Sequence, residues 1–346
     1  MRRMFVPILL AVCLLIISSC EDDTPSEERD TIEISGTLDS SFTIAADTDV
    51  LVQEAVVIPE GVELTAERGV HFMVSEGVVI HVEGRLITNG TNSKPVKFKS
   101  ANNQLLWYGL ISSLQDTLPA IELFHTTVSD CIQGIELHGD NARLSDIVIS
   151  NCTYGIVCSG DSGSVLDGIE VQDCETGVSI TDMSDAQVSD AWLHDNEIGL
   201  WNISTRAILQ QSLVNNNTDT GIRCDGYGDS LQILFTEITE NPIGIIYRYG
   251  PRVVLRGNTI TSNERGIFLI AYQRNSLIIH ENNIYENELF AISYEDAMPT
   301  YPEPLDISNN YWGTTDSVEI AAAIIDAYDN PGWDTLSFVP FATSPF

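Results

Sequence analysis

Aromatic and arginine side chains in the C-terminal half of the sequence are the residues best suited to bind a ligand. Trp201, Arg223 and Phe268 each follow a recurring glycine by two residues, and Arg248 and Tyr272 fall in the same segment. Aromatic faces stack on sugar rings, and guanidinium groups make paired hydrogen bonds to carboxylates, so together they suit an anionic glycan. A subunit contact, or loops packed against this surface, would use the same residue types. A carbohydrate-binding face is therefore one hypothesis among these.

Acidic turns form a second group that could bind a ligand. Asp161, Asp182 and Asp225 recur at the same turn of successive repeats. Carboxylates stacked about 5 Å apart could hold calcium, although acidic turns are more often simply solvated. No other cofactor is indicated by the sequence.

These positions are set by a repeat of about 22 residues. Its marker is a small residue that occurs once in each unit: Gly134, Gly155, Gly177, Gly199, Gly221, Gly244, Gly266 and Ala291. Apolar residues alternate with polar ones after each marker, as on a strand with one buried face. No unit shows a helical period of apolar residues, so helical repeats are excluded. The pattern predicts short parallel strands stacked in a solenoid.

The units resemble the repeats of the pectate-lyase-like superfamily. Residues 57–64, 82–87 and 95–100 resemble the opening coils of secreted bacterial members, and Asn309-Asn310-Tyr311-Trp312-Gly313 resembles the segment that closes their last coil. The resemblance implies an all-β fold, a right-handed parallel β-helix of about eleven coils. It covers residues 32–346, with N-terminal coils over 32–130, repeat coils over 131–308 and a C-terminal cap over 309–346.

Both open ends of such a solenoid need a cover, because they expose unpaired strand edges. Asp316 and Glu319 form a capping box, and Asn330-Pro331-Gly332 would stop a helix, so one short helix is predicted near 317–329. A last strand is predicted over 337–341. The N-terminal cover is predicted within residues 32–56.

A column of inward side chains is predicted three residues before each marker. It contains Cys131, Cys152, Cys174, Asn196, Thr218, Asn241, Asn263 and Glu288. Asparagines stacked at a bend can bond to the backbone and to each other as a ladder, and cysteine is a small apolar filler. Parallel side chains in register do not aim their sulfurs at each other well, so five reduced cysteines are predicted in the folded domain. A metal site made of these thiols is disfavoured, because no Cys-X-X-Cys pair is present.

No catalytic residue is assigned from the sequence. Enzymes of the resembled superfamily use calcium-binding carboxylates with an arginine base, or aspartates with a histidine and an Arg-Ile-Lys motif. The only Asp-Asp pair here is Asp22-Asp23, and Arg-Ile-Lys does not occur. The six histidines do not share one column, so no proton-transfer pair is evident.

The N-terminal residues have the pattern of a lipoprotein signal peptide. Arg2 and Arg3 precede an apolar run over residues 4–17, and Ser18-Ser19-Cys20 follows. This order predicts a signal peptide over 1–19 and lipidation of Cys20. Residues 20–31 are acidic and are predicted to be a disordered tether. An acidic run after the lipidated cysteine resembles a surface-export signal, which implies an outer-membrane protein exposed at the cell surface.

The overall charge excludes some partners and suggests a habitat. Fifty acidic and sixteen basic residues give a net charge of −34. Such a charge repels nucleic acid and is better tolerated in high salt, as in halophiles.

The leading hypothesis is a non-catalytic surface lipoprotein whose β-helix binds carbohydrate. The alternatives are a polysaccharide lyase or hydrolase with unrecognised catalytic residues, and a structural envelope protein that contacts another envelope protein.

Overall fold

The chain winds into a right-handed parallel β-helix of about eleven coils. The computed structural model describes residues 29–102, 105–112, 120–139, 141–160, 163–181, 185–203, 205–226, 230–249, 252–270, 277–294, 304–331 and 333–346. Strands of successive coils pair in parallel, and each coil passes through three sheets in turn. Among these residues, no helix is long and apolar enough to span a bilayer.

The N-terminal strands are β1 (Thr31–Glu33), β2 (Gly36–Thr37), β3 (Phe42–Ile44), β4 (Asp49–Val52), β5 (Val56–Ile58), β6 (Glu63–Glu67), β7 (His71–Val74), β8 (Val79–Val82), β9 (Arg85–Asn89), β10 (Val96–Ser100), β11 (Trp107–Ser112), β12 (Ile121–His138) and β13 (Arg143–Ser159). The repeat coils contain β14 (Val165–Asp167), β15 (Glu170–Gln172), β16 (Thr176–Ile180), β17 (Gln187–Ser189), β18 (Trp192–His194), β19 (Ile198–Ile203), β20 (Ala207–Gln210), β21 (Leu213–Asn215), β22 (Thr220–Asp225), β23 (Ser230–Leu234), β24 (Glu237–Thr239), β25 (Ile243–Arg248), β26 (Arg252–Arg256), β27 (Thr259–Thr261), β28 (Arg265–Ile270), β29 (Leu277–His280), β30 (Asn283–Tyr285) and β31 (Phe290–Tyr294). The C-terminal elements are β32 (Leu305–Asp306), α1 (Ser317–Ala322), β33 (Ile324–Ile325) and β34 (Leu336–Ser337).

The three sheets run the length of the solenoid. Sheet 1 stacks β1, β4, β7 and β10 under β15, β18, β21, β24, β27 and β30. Sheet 2 stacks β2, β5, β8 and β11 under β16, β19, β22, β25, β28, β31 and β33. Sheet 3 stacks β3, β6 and β9 under β14, β17, β20, β23, β26 and β29. The long strands β12 and β13 bend through all three sheets and join the two halves.

The glycine marker is required by the close approach of neighbouring coils in sheet 2. A Cβ atom on Gly221 would lie 2.8 Å from the carbonyl oxygen of Gly244, and one on Gly134 would lie 2.2 Å from that of Gly155. After each marker the side chains alternate, so Ile222 and Cys224 are buried in the interior while Arg223 points outward. The period read from the sequence is therefore a packing requirement.

Two bends of each coil use left-handed backbone conformations, and this places acidic residues there. Within the described ranges, seventeen non-glycine residues have a positive φ, and nine of them are aspartate or glutamate. Asp195 (φ 54°) and Glu240 (φ 57°) are examples from the bend before sheet 2. Asp and Asn tolerate this region better than most residues, so local backbone geometry explains part of the acidity.

An asparagine ladder follows that bend, with two members that differ from the prediction. Asn196, Asn241 and Asn263 lie in it and are buried. The other two rungs are Asn217, between Asn196 and Asn241, and Asn287, beyond Asn263, and not Thr218 and Glu288. In those two coils an extra residue separates the ladder position from the marker, so a fixed offset of three residues was wrong there. An amide both donates and accepts along the column, which neither threonine nor glutamate can do in the same way.

The prediction of five reduced cysteines was wrong. Cys131 and Cys152 form a disulfide between adjacent coils, with Cα atoms 4.7 Å apart. This separation lies in the range that disulfides require. Both cysteines directly follow a residue with a left-handed backbone conformation, so their side chains do not point in the directions expected for a regular strand. Cys174, one coil further on, is outside the disulfide, as are Cys158 and Cys224, and all three are buried.

The covers at the two ends also differ from the prediction. Helix α1 ends at Ala322, well short of 329, because Ile324 and Ile325 form β33 and pair with β31. Asp316 caps α1 by accepting a hydrogen bond from the Val318 amide (2.8 Å), whereas Glu319 accepts one from Thr314. The last strand is Leu336–Ser337 and not 337–341. Residues 31–58 form β1 to β5, so they are regular coils and no separate N-terminal cover.

Candidate functional site

Strand pairing places three of the proposed ligand-binding residues in one outward column of sheet 2. Trp201 pairs with Arg223, Arg223 pairs with Ile246, and Ile246 pairs with Phe268 on successive coils. With coils about 4.8 Å apart, the column from Trp201 to Phe268 spans about 14 Å. Arg248 lies two residues further along β25, and Tyr272 lies outside the described residues. The outer surface of β19, β22, β25 and β28 is called the sheet 2 face below.

Asp225 connects the polar side chains of this face. Its carboxylate accepts hydrogen bonds from Arg223 Nε (2.8 Å) and from the indole Nε1 of Trp201 (3.0 Å). Arg248 Nε lies 3.8 Å from the other carboxylate oxygen. The Arg223 guanidinium also sits over the Trp201 ring, with its Cζ 5.1 Å from the ring centre. These contacts hold an aromatic ring and two cations in fixed positions before any ligand arrives.

The upper part of the face is more enclosed than an open sheet surface. Phe268 is only 8% exposed and packs with Ile246 and Ile270 in a small apolar cluster. Arg265 lies over two rings, with its Cζ 5.1 Å from the centre of Phe268 and 5.7 Å from that of Phe290. Arg265 and the cluster therefore form a shallow apolar floor edged by a cation.

The sheet 2 face is positive although the chain is strongly negative. Its charged residues on β19, β22, β25 and β28 are Arg223, Arg248, Arg265 and Asp225. Several buried polar atoms here have no hydrogen-bond partner within the described parts of the chain: Asp225 Oδ1, Arg248 Nε, Arg265 Nε and, one coil above, Ser293 Oγ. Buried polar groups are nearly always paired, so these atoms need hydrogen-bond partners beyond the described residues.

Of the three proposed calcium ligands, Asp225 alone lies among the described residues. Asp225 is occupied by two guanidinium groups and an indole, which disfavours a further cation at that carboxylate. Asp161 and Asp182 lie outside the described residues. Asp185, near Asp182, pairs with Arg206 at 2.8 Å. Throughout the described ranges, no three His, Cys, Asp or Glu side chains are grouped as metal ligands.

A histidine network lies lower on the outer surface of sheet 2 and was missed in the sequence. His138 Nε2 is 2.8 Å from a Glu136 carboxylate oxygen, and His138 Nδ1 is 2.7 Å from Ser159 Oγ. His138 and Ser159 are paired across β12 and β13, and Glu136 lies two residues before His138 on the same outward side. A carboxylate that orients an imidazole against a hydroxyl is an arrangement that can move a proton. A search for histidines that share one column could not detect it, because the network contains one histidine, with Ser159 in the same column and Glu136 in the neighbouring outward column.

Solved structures with the same fold include polysaccharide-modifying enzymes. The periplasmic alginate epimerase AlgG matches with a TM-score of 0.51 and 14% identity, covering 85% of this chain and 78% of that one. Pectate lyase Pel9A matches with a TM-score of 0.39 and 8% identity, covering 83% and 71%. The AlgE4 A-module, an Azotobacter vinelandii mannuronan C-5 epimerase, matches with a TM-score of 0.39 and 12% identity, covering 91% of both chains. No curated protein sequence matches significantly.

A family model matches most of the repeat region. The family is described as periplasmic copper-binding protein (NosD), and the match covers residues 120–326, more than half of the chain. The described donors do not fit a copper ion, because the thiols outside the disulfide are buried separately and no three His, Cys, Asp or Glu side chains in the described ranges are grouped as metal ligands. Family membership rests on the match itself and on the shared coil architecture. The chain belongs to the NosD family of β-helix proteins.

Proposed function

We propose that this protein is a non-catalytic, lipid-anchored envelope protein whose sheet 2 face binds an acidic polysaccharide. The observation that carries the proposal is the positive surface formed by Trp201 and Arg223 in register, with Arg248 and Arg265 beside them and the largely buried Phe268 in the apolar floor under Arg265. In a chain of net charge −34, a surface with three arginines and one carboxylate favours an anionic ligand over a neutral one.

The dimensions of the face suit a short stretch of polymer. A column of about 14 Å matches two to three sugar rings, which can stack on Trp201 while their carboxylates face the arginines. Arg223 and Arg248 are already oriented by Asp225, so little side-chain entropy is lost on binding. AlgG acts on alginate, an acidic polysaccharide, and this makes alginate the first ligand to test.

Binding is tested by titrating the full chain with alginate oligosaccharides and, separately, with a neutral glucan of equal length. Alginate is expected to bind and the glucan is not. Arg223→Gln should weaken binding about tenfold, because a charge-assisted hydrogen bond is lost. The matched control is Arg256→Gln, since Arg256 is an exposed arginine of sheet 3 bonded to Glu281. Equal binding of both polymers, or equal effects of both variants, would reject the proposal.

Catalysis on the same sheet is the second candidate function, and the Glu136–His138–Ser159 network favours it. Glu136 lies three coils below Trp201 in the same outward column, through Val157 and Ser179, so a polymer on the sheet 2 face could extend over the adjacent His138. His138 could then abstract a sugar ring proton, as a lyase or epimerase requires. The test is to incubate alginate with the parent protein and with His138→Ala. Unsaturated or epimerised products that form with the parent but not with the variant would establish catalysis and would overturn the non-catalytic proposal.

The location follows from the sequence and the family. The signal peptide over 1–19, lipidation at Cys20, the tether over 20–31 and the single β-helix domain over 32–346 remain predictions. The family description as periplasmic supports an envelope location. Incorporation of labelled fatty acid that is lost in Cys20→Ala would establish the anchor, and protease treatment of intact cells would distinguish surface exposure from a periplasmic position.

A further inference from the structure

A cationic pocket lies on sheet 1 in the N-terminal coils, far from the sheet 2 face. It is a cavity of about 350 Å³ whose lining includes Arg29, Asp47, His71, Lys94 and Lys97. Strand pairing stacks Lys97 of β10 directly on His71 of β7, which in turn stacks on Asp49 of β4. The pocket therefore brings together residues from four segments of the chain that are up to 68 positions apart.

The carboxylates at this pocket are already neutralised by some of its cations. Lys94 Nζ lies 2.7 Å from Asp47 Oδ2, and Arg29 Nε donates to Asp49 Oδ1 at 2.6 Å. Arg29 also donates to the Thr48 carbonyl oxygen, which fixes its guanidinium at the pocket wall. Lys97 makes no ion pair within the described part of the chain, so its ammonium group is available to a ligand.

Further cations surround the pocket, so its potential is positive despite the charge of the whole protein. All three lysines of the sequence lie here, at positions 94, 97 and 99, and Arg68 lies nearby. A hydrogen bond from Lys94, together with the charges of Arg29 and Arg68, lowers the pKa of Asp47. Burial, and then the charges of Arg29, Lys97 and Lys99, lowers the pKa of His71 despite the opposing charge of Asp49.

We propose that this pocket binds a phosphate-type oxyanion, with Lys97 as its principal ligand and Lys94 and Arg29 at its edges. A compact anion with several acceptor oxygens can contact ammonium groups from different directions, which suits a small cavity better than the planar carboxylate of a long polymer. The anion is either free inorganic phosphate or the phosphate of a lipid headgroup. The site is separate from the sheet 2 face and does not depend on carbohydrate binding there.

The test is the binding of inorganic phosphate to the full chain at constant ionic strength, set with NaCl. Phosphate is expected to raise the melting temperature above the value in matched NaCl, and to raise the pKa of His71, followed by NMR, because a bound anion favours the imidazolium. Lys97→Gln should weaken phosphate binding by about tenfold or more, since a charge-assisted contact is lost. Lys97 points outward from β10, so this variant should fold normally.

The matched control is again Arg256→Gln, which removes an exposed cation on sheet 3 and should leave phosphate binding unchanged. Equal effects of phosphate and NaCl, or undiminished binding by Lys97→Gln, would overturn the proposal.

Binding to vesicles of phosphatidylglycerol and of phosphatidylcholine distinguishes the two sources of the anion, a lipid headgroup and free phosphate. If the protein binds phosphatidylglycerol vesicles, and if phosphate displaces it and Lys97→Gln abolishes the binding, the ligand is a lipid headgroup. If the protein binds phosphate alone, the ligand is the free anion.

Discussion

The carboxylate of Asp225 receives hydrogen bonds from Arg223 and Trp201, and Arg248 approaches its second oxygen at 3.8 Å. Calcium binding by this residue stays a prediction, and its observed neighbours are two guanidinium groups and an indole. An anion among cations holds them in place and lowers their mutual repulsion. At the scale of single residues, Asp225 is thus a positioning residue for the arginines of the sheet 2 face.

Trp201→Ala is expected to lower both stability and alginate binding. The variant loses a cation–π contact with Arg223 and a hydrogen bond to Asp225, which together contribute about 1–2 kcal/mol to folding. Loss of stacking should weaken alginate binding by a further 1–2 kcal/mol, or roughly five- to thirtyfold. Urea unfolding and calorimetric titration measure the two effects.

Trp192→Ala is the control for this variant. Trp192 lies on sheet 1, is 41% exposed, stacks on His194 and donates to Asn215, so like Trp201 it packs on a neighbouring side chain and bonds to the next coil through its indole. It should lose stability without losing alginate binding. If both tryptophan variants bind alginate as the parent does, Trp201 has no part in recognition.

Cys174 should be the thiol that reacts in the native protein, and its rate should depend on pH. It is 5% exposed, whereas Cys158 and Cys224 are fully buried. Burial raises the pKa of Cys174 to about 11, so its thiolate fraction grows about tenfold per pH unit between roughly pH 7 and pH 9. Alkylation followed by peptide mass spectrometry should show this rise at Cys174 only. A rate that does not vary with pH would mean that unfolding, and not ionisation, limits the reaction.

Ladders of polar side chains stabilise the bends of the coils at the scale of elements. Asn241 donates to the carbonyl oxygens of Val214 and Thr239 and to Asn263, and it accepts from Asn217. A second ladder of Asn258, Asn282 and Asn310 lies at the bend between sheets 3 and 1, with equivalent bonds. Each ladder satisfies backbone carbonyl groups that the bend removes from the sheets.

Asn241→Ala is expected to destabilise the fold by about 2–4 kcal/mol. The substitution leaves several buried donors and acceptors unpaired, and each costs about 1–3 kcal/mol unless water enters. Thr218→Ala is the informative comparison, because Thr218 occupies the position expected for the ladder yet is exposed. It should change stability by less than about 0.5 kcal/mol. Similar losses in the two variants, measured by denaturant unfolding, would contradict the assigned rungs.

The charge distribution is the main feature at the scale of the whole molecule. Most of the surface is acidic, and part of this acidity comes from aspartates and glutamates at left-handed bends on adjacent coils. Cations are concentrated in two places, the sheet 2 face and the N-terminal pocket of sheet 1. Each place is an attractive site for an anion that the remaining surface repels.

The melting temperature is expected to rise as NaCl increases from low to molar concentration. With a net charge of −34, repulsion between stacked carboxylates opposes folding, and molar salt shortens the screening length to about 3 Å. Scanning calorimetry in NaCl, with a potassium salt for comparison, measures the effect. A melting temperature that falls or stays constant would remove the proposal that the protein is adapted to a saline habitat.

The sequence by itself determined the solenoid, because its period is imposed locally. Gly221 and its equivalents are needed where adjacent backbones touch, and alternation such as Ile222, Arg223 and Cys224 reports which side of a strand is buried. The sequence predicted the side-chain contacts at the bends less well than the strands. The disulfide of Cys131 with Cys152 and the rung at Asn217 depend on side-chain directions and on single inserted residues, which a repeat period does not record.

Only the tertiary structure decided how the charged side chains combine. The cluster around Asp225, the network of His138 with Glu136 and Ser159, and the pocket around Lys97 each join residues on different coils and in different columns. Phe268 is largely buried although its column points outward, because Ile246, Ile270 and Arg265 cover it. Coil stacking brings residues about 22 positions apart within 5 Å, so contacts at these sites depend on rotamers and neighbours that the linear pattern leaves undetermined.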